Sequence, residues 1–259
     1  MFNINRISMV AYSPVDSLLQ TIDASHRLSD IETGSAMLVK FGFQDIDTLL
    51  LYGIPGQTLT TLRNTLLAFS SVKGFHHITL KPYELSNQSG VRREERDEQY
   101  RHAVEVLKSR GLIQYTTDSF ATKTNQNQNL LQELLGVERI GFGLGARSFV
   151  DGYIYQNTIN FYDYLKNSGN FSELITNVTK LRKKDKIKRF IAHRLQLVDG
   201  FSEEEFTQTF NNPPEKLIPQ ILAKLEKQEL IESTERRIKP TFAGLMHSDE
   251  MITSVLEEE

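Results

Sequence analysis

The chemistry open to this chain depends first on the side chains that could ligate, attack or carry a proton. Among 259 residues there are six histidines, His26, His76, His77, His102, His193 and His247, and no cysteine. Without a thiolate the chain supplies no disulfide, no cysteine nucleophile, no thiolate zinc site and no cysteine ligand for an iron–sulfur cluster. His76-His77, at the start of an apolar run, is the most ligand-like pair. Neighbours on a strand point to opposite faces, so the two do not converge on one ion, and one is expected to pack while the other faces solvent. Glu94-Glu95 and Glu203-Glu204-Glu205 fall where helix dipoles or solvent account for them. Serine, histidine and aspartate all occur, but no GxSxG-like context marks a nucleophile. Two glycine-rich stretches remain, Gly53-Ile54-Pro55-Gly56 and Gly141-Phe142-Gly143-Leu144-Gly145. Glycine lets a backbone turn tightly or approach a ligand closely. The second stretch lacks the strand–GxGxxG–helix order of a dinucleotide site, and a packed strand or loop is expected there.

The elements that position these residues read as α/β. Leu49-Leu50-Leu51-Tyr52 is a short apolar run bounded by turn formers, as in a strand buried on both faces. Thr58 is placed to cap a helix over residues 59–73, Gly74 stops it, and residues 77–80 form the next strand. This is a strand–helix–strand unit, whose loops at strand C-termini carry the chemistry in such folds. Before it, residues 5–13 read as a strand ended by Pro14. Ser29-Asp30-Ile31-Glu32 reads as a capping box opening a helix that stops at Gly42. After it come a polar loop over 81–90, a charged amphipathic helix over 92–110 with a solvated face, and a strand over 112–119. Composition changes near Asn167-Ser168-Gly169-Asn170, which sets a domain boundary between there and about residue 179. The basic run over 180–189 opens a helical region with a small wing at 231–239, a winged-helix pattern. Its third helix lacks basic–aromatic interleaving, so nucleic acid is not the expected partner.

Bulk composition adds exclusions. Hydrophobic content of 39%, charged content of 24% and a net charge of -3 are those of an ordinary globular protein and give no global attraction to nucleic acid or anionic membrane. No apolar stretch approaches the about 20 residues of a membrane span, and no signal-peptide pattern opens the chain, so a cytoplasmic location is expected.

Several stretches together resemble the oxygen-independent coproporphyrinogen III oxidase-like radical SAM proteins, a group that includes heme chaperones and anaerobic heme-degrading methyltransferases. Asn5-Arg6-Ile7-Ser8 resembles the family's fourth barrel strand. Tyr52-Gly53-Ile54-Pro55-Gly56-Gln57-Thr58 resembles the signature after its fifth, and His77-Ile78-Thr79-Leu80 its sixth. Gly141-Phe142-Gly143-Leu144-Gly145-Ala146 is similar to its GIGAGA loop, and Thr241-Phe242-Ala243-Gly244 to its C-terminal Thr-x-x-Gly. The resemblance implies a half barrel of radical SAM type over 1–170, followed by a small helical winged-helix-like domain over 180–259. It begins at the fourth strand, so the CxxxCxxC that holds a [4Fe–4S] cluster has no counterpart here.

The resemblance also locates departures. Where the family grips S-adenosylmethionine with a glutamine, an arginine and an aspartate, this chain has Tyr12, Ala24 and Leu49. The chaperone branch carries His-Asn-x-x-Tyr-Trp near the glycine loop, where Gln128-Asn129 and Gln132-Glu133 stand here. The resulting expectation is a non-catalytic relative that binds neither cluster nor S-adenosylmethionine. It would handle a tetrapyrrole such as heme, with Tyr12, Leu49 and His77 lining the concave face and Gly141, Gly143 and Gly145 as a further binding loop. The alternatives are an enzyme half completed in trans by a cysteine-bearing chain and a truncated gene product without a task. The open edge of the opening strand, with Ile7, Met9 and Val10, implies a second copy or a partner protein that covers it.

Overall fold

Alternation of side chains explains the first sheet. In β1 (Arg6–Tyr12), Met9 points to a helix, its sulfur within 3.8 Å of Ser35 Oγ, while Arg6, Ser8 and Val10 point the other way. In β2 (Asp45–Tyr52), Ile46, Thr48, Leu50 and Tyr52 are buried against helices and Asp45, Asp47, Leu49 and Leu51 share the face of Arg6 and Ser8. β3 (Phe75–Pro82) continues both sets, Ile78 and Leu80 with the helices, His77, Thr79 and Lys81 with the inner face. The three strands are parallel in the order β1–β2–β3. The computed structural model describes residues 4–72, 74–83, 90–234 and 236–257, in two compact units, Met1–Asn127 and Gln128–Glu259.

In the first unit, α1 (Asp16–Thr21) and α2 (Leu28–Lys40) connect β1 to β2, α3 (Leu59–Ser71) connects β2 to β3, and α4 (Arg93–Ser109) follows. Thr58 caps α3, accepting from Thr61 N–H at 3.1 Å. Lys73 and most of the expected polar loop, residues 84–89, lie outside the described residues. The capping box of α2 differs from expectation by its position. Arg27 precedes the helix, and the Asp30 carboxylate accepts from Arg27 N–H at 2.9 Å, so Asp30 rather than Glu32 closes the first turn. The single strand expected over 112–119 is a hairpin, β4 (Ile113–Gln114) and β5 (Ser119–Ala121). Thr116 turns it by accepting from Ser119 N–H at 3.1 Å. β5 lies antiparallel on β3, so the far side of β3 is covered and the sheet runs β1-β2-β3-β5-β4.

The second unit opens with α5 (Gln128–Leu134) and an antiparallel sheet of β6 (Arg147–Val150), β7 (Tyr153–Asn157) and β8 (Ile175–Lys180), with α6 (Phe161–Lys166) and α7 (Phe171–Leu174) between the last two strands. Residues 167–179, expected to form the junction between domains, therefore lie inside this unit. It continues through α8 (Lys183–Arg194), β9 (Phe201–Ser202), α9 (Glu203–Phe210), α10 (Pro214–Leu217), α11 (Pro219–Lys227), the wing of β10 (Ile231–Thr234) and β11 (Arg237–Pro240), α12 (Phe242–Met246) and α13 (Ser248–Glu257). Ile191, Leu195, Phe201, Phe206, Leu225, Met251 and Val255 interlock in its core, each such side chain contributing about 1.5–3 kcal/mol on burial.

The Thr-x-x-Gly motif has a packing reason. Thr241 Oγ1 donates to the Glu229 carbonyl at 2.6 Å and accepts from Gly244 N–H at 3.0 Å. A Cβ on Gly244 would land on the Leu230 carbonyl oxygen. Gly244→Ala is expected to lower stability by about 2 kcal/mol, read as an earlier urea midpoint; an unchanged midpoint would show that the helix and β10 separate freely.

Candidate functional site

The inner face of the first sheet carries an almost fully buried polar chain. Asp47 Oδ1 lies 2.5 Å from His77 Nδ1, and His77 Nε2 lies 2.7 Å from the Tyr115 hydroxyl. A carboxylate only accepts, so the proton on Nδ1 is directed to Asp47, while Tyr115 also accepts from Asn127 N–H at 3.1 Å. Ser8 donates to Asp47 Oδ2 at 2.9 Å and Thr79 to Oδ1 at 3.1 Å. Burial pushes the Asp47 carboxyl up, but the hydrogen bond and charge of His77, with the two hydroxyls, outweigh it and hold the group below the usual carboxylate range. Burial, with the charge of Asp47 adding to it, raises the Tyr115 phenol, which therefore keeps its proton. Beside the chain, one Arg6 nitrogen donates to both Asp45 oxygens, at 2.7 and 2.8 Å, and to the Asn125 carbonyl at 3.1 Å.

His77 is 1% exposed, and both its nitrogens are bonded. It has no lone pair to offer an iron without breaking one of those bonds, while His76 beside it is half-buried. Tyr12 sits at the other end of the sheet. It pairs with Leu50, three residues along β2 from Asp47, or about 10 Å away along the strand. Leu49 lies between, flanked by Val10 and Thr79 in the register. Leu49 and His77 thus occupy successive levels of the inner face, and Tyr12 lies beyond a break in the register, so the three do not form a single wall. Asp47, Tyr115, Ser8 and Thr79 join His77 without a local sequence signal, since the hairpin brings Tyr115 to β3 from 38 residues away.

At the C-terminal end of the sheet Tyr12 has φ +57°, an uncommon conformation for a bulky residue, and its ring lies 5.5 Å from that of His26. His26 Nε2 is bonded to the Ala11 carbonyl at 3.0 Å, and the buried Ser13 hydroxyl has no partner among the described residues. The signature turn spends its polar groups internally. Gln57 Nε2 donates to the Leu51 carbonyl at 3.0 Å, Gly53 N–H donates to Gln99 Oε1 at 2.7 Å, and Gln99 Nε2 returns to the Gln57 carbonyl at 3.0 Å.

The glycine loop lies in the second unit and is likewise tied to its own neighbours. Asn157 Nδ2 donates to the Gly143 carbonyl at 2.9 Å, Gln156 Nε2 to that of Gly145 at 3.1 Å, and Gly141 N–H to Ser148 Oγ at 2.9 Å. Gly143 has φ +107°, which only glycine adopts without strain. The loop presents Phe142, 83% exposed.

Comparison with known proteins places this architecture. Residues 181–247 match the HemN C-terminal domain. The heme chaperone HemW of Bacillus subtilis (strain 168) is 23% identical over 98% of this chain and 70% of its own length. That of Lactococcus lactis subsp. lactis (strain IL1403) is 24% identical over 93% of this chain and 66% of its own length. The solved structure of the coproporphyrinogen III oxidase HemN from Escherichia coli, described as a radical SAM enzyme, superposes with a TM-score of 0.75 at 16% identity, covering 98% of this chain and 64% of that one. The fold is that of the radical SAM coproporphyrinogen oxidases, in part. The chain is thus similar to the oxygen-independent coproporphyrinogen oxidase-like proteins, in its C-terminal domain by family model and along most of its length by alignment.

Removing Asp47 takes away the partner of His77 Nδ1 and the carboxylate acceptor of two hydroxyls. Asp47→Ala is expected to cost about 3 kcal/mol at pH 7 in urea unfolding. Because the folded carboxyl titrates below the unfolded value of about 3.9, this contribution is complete above pH 5 and is lost as pH falls through the lower folded value. A gap between the two proteins that stays constant down to pH 3 would contradict the assignment.

Proposed function

We propose that the chain handles a tetrapyrrole and performs no radical SAM chemistry with its own residues. The observation that carries the second part is the donor set. None of the 259 residues is a cysteine, and a [4Fe–4S] cluster is held by thiolates. Leu49 stands where the resemblance expects the carboxylate for a ribose, and an aliphatic side chain accepts no hydrogen bond. Tyr12 and Ala24 replace the other two polar groups. These residues do not fit the cluster or S-adenosylmethionine, and no radical step is derived from them. The first part rests on the relatives: two proteins aligned along most of the chain are named heme chaperones.

The reading extends to partners. Among the described residues β1 is an end strand paired only with β2, and its inner-face Val10 is 49% exposed. Unpaired strand edges recruit strands, so a second copy or a partner protein is proposed to cover this one. Light scattering at low micromolar concentration is expected to give more than the 29.7 kDa of one chain, and a monomer would remove the self-association arm.

One set of titrations tests the functional reading. Anaerobic incubation with iron and sulfide is expected to leave no stoichiometric cluster absorbance, and calorimetry with S-adenosylmethionine no micromolar binding. Hemin is expected to show a shifted Soret band with the protein. A stable cluster or S-adenosylmethionine affinity would overturn the non-catalytic part; an unshifted Soret band would overturn tetrapyrrole handling.

A further inference from the structure

The second unit contains a cavity of about 600 Å³, within the range of small-molecule sites. Its wall combines three kinds of group. Phe149, Phe190 and Phe210 supply aromatic surface, Lys183, Lys186 and Arg189 supply charge, and His193 stands on the same helix, α8. Positions 186, 189 and 193 are spaced three and four residues apart, so these side chains share one face of that helix.

The cations are not balanced locally. Among the described residues Lys183, Lys186 and Arg189 make no ion pair, and Arg189 lies over the Phe149 ring, 4.6 Å from its centroid. The nearby carboxylates are committed elsewhere. Glu133 pairs with Arg139, Glu205 with Arg194 at 2.6 Å, and Asp185 accepts from Arg182 N–H at 3.1 Å. Burial, and then the charge of Arg139, lower the Arg189 guanidinium against the opposing charge of Glu133.

His193 is arranged as metal-binding imidazoles are. Its Nδ1 lies 2.9 Å from the Glu133 carbonyl oxygen. A carbonyl only accepts, so Nδ1 carries the proton and Nε2 keeps its lone pair. Among the described residues nothing bonds to Nε2. Burial, together with the charge of Arg189, lowers the imidazolium and keeps the ring neutral, the form that binds a metal. This contrasts with His77, whose two nitrogens are both occupied.

We propose that this cavity is the heme site of the chain, with His193 Nε2 as axial ligand to the iron, the macrocycle against Phe149, Phe190 and Phe210, and its carboxylates on Lys183, Lys186 and Arg189. The inference rests on the tetrapyrrole reading above and assigns it to named residues. Neither the aromatic surface nor the cations require iron, whereas His193 does, which separates their contributions experimentally.

Hemin and iron-free protoporphyrin are titrated into the full chain and into His193→Ala, His193→Gln and the double variant Lys183→Gln/Lys186→Gln, each first checked for a native circular dichroism spectrum. Wild-type protein is expected to give the Soret band of a histidine-ligated ferric heme. Both His193 variants should lose that band and bind hemin about tenfold more weakly, while protoporphyrin affinity stays within about twofold. The lysine variant should weaken both ligands severalfold. His102→Gln, in the first unit, should change nothing. If a His193 variant fails to fold, bound protoporphyrin should still slow acetylation of Lys186 in the wild-type chain. A hemin spectrum unchanged in the folded His193 variants, or undiminished acetylation, overturns this site and leaves tetrapyrrole handling standing. Absence of any hemin shift in wild-type protein removes both.

Discussion

One buried carboxylate organises the first unit. Asp47 receives Ser8 from β1, His77 and Thr79 from β3, and through His77 it is linked to Tyr115 in the hairpin beyond. A parallel sheet of this kind is ordinarily held by backbone ladders and apolar packing on both faces. Here one face is apolar and covered by helices, while the other has at its base a hydrogen-bonded chain that spans three strands and a turn. Leaving any member unpaired in that setting costs more than the bond itself gains, so the chain fixes register as well as stability.

That constraint bears on function. In β/α barrels the N-terminal ends of the strands serve stability and the C-terminal ends carry chemistry. Asp47 and His77 lie toward the former. At the latter end stand Tyr12 and a signature turn whose Gln57 bonds to the Leu51 carbonyl and whose Gly53 N–H is taken by Gln99 of α4. The fold is shared with the solved coproporphyrinogen III oxidase HemN, and the polar groups of the turn are bonded within the first unit. The second unit shows the opposite balance, with uncompensated cations and an imidazole lone pair around a cavity.

Much of the architecture was legible in the sequence. The run Leu49-Leu50-Leu51-Tyr52, the Thr58 cap and the stop at Gly74 gave the central strand–helix–strand unit because each depends on local chemistry. The hairpin at 113–121 was read as one strand because Thr116, whose hydroxyl makes the turn, has no strong turn propensity of its own. The boundary of the compact units was not visible at Asn127, where no glycine- or proline-rich linker interrupts the chain. His77 was singled out, but its partners Asp47 and Tyr115 lie 30 and 38 residues away and only tertiary pairing reveals that both its nitrogens are used. His193 was passed over because a histidine within a basic helix carries no motif; its meaning depends on the Glu133 carbonyl, 60 residues earlier.

The central claim is that the buried histidine of the sheet, His77, is a structural clamp and not a ligand. Nitrogen-15 NMR of histidine-labelled protein tests it most directly. The account predicts one slowly exchanging proton on His77 Nδ1, shifted far downfield by its short bond to a buried carboxylate and absent in Asp47→Asn. A His77 ring whose protons exchange rapidly with water, or whose signals are indifferent to the loss of the Asp47 charge, would contradict it.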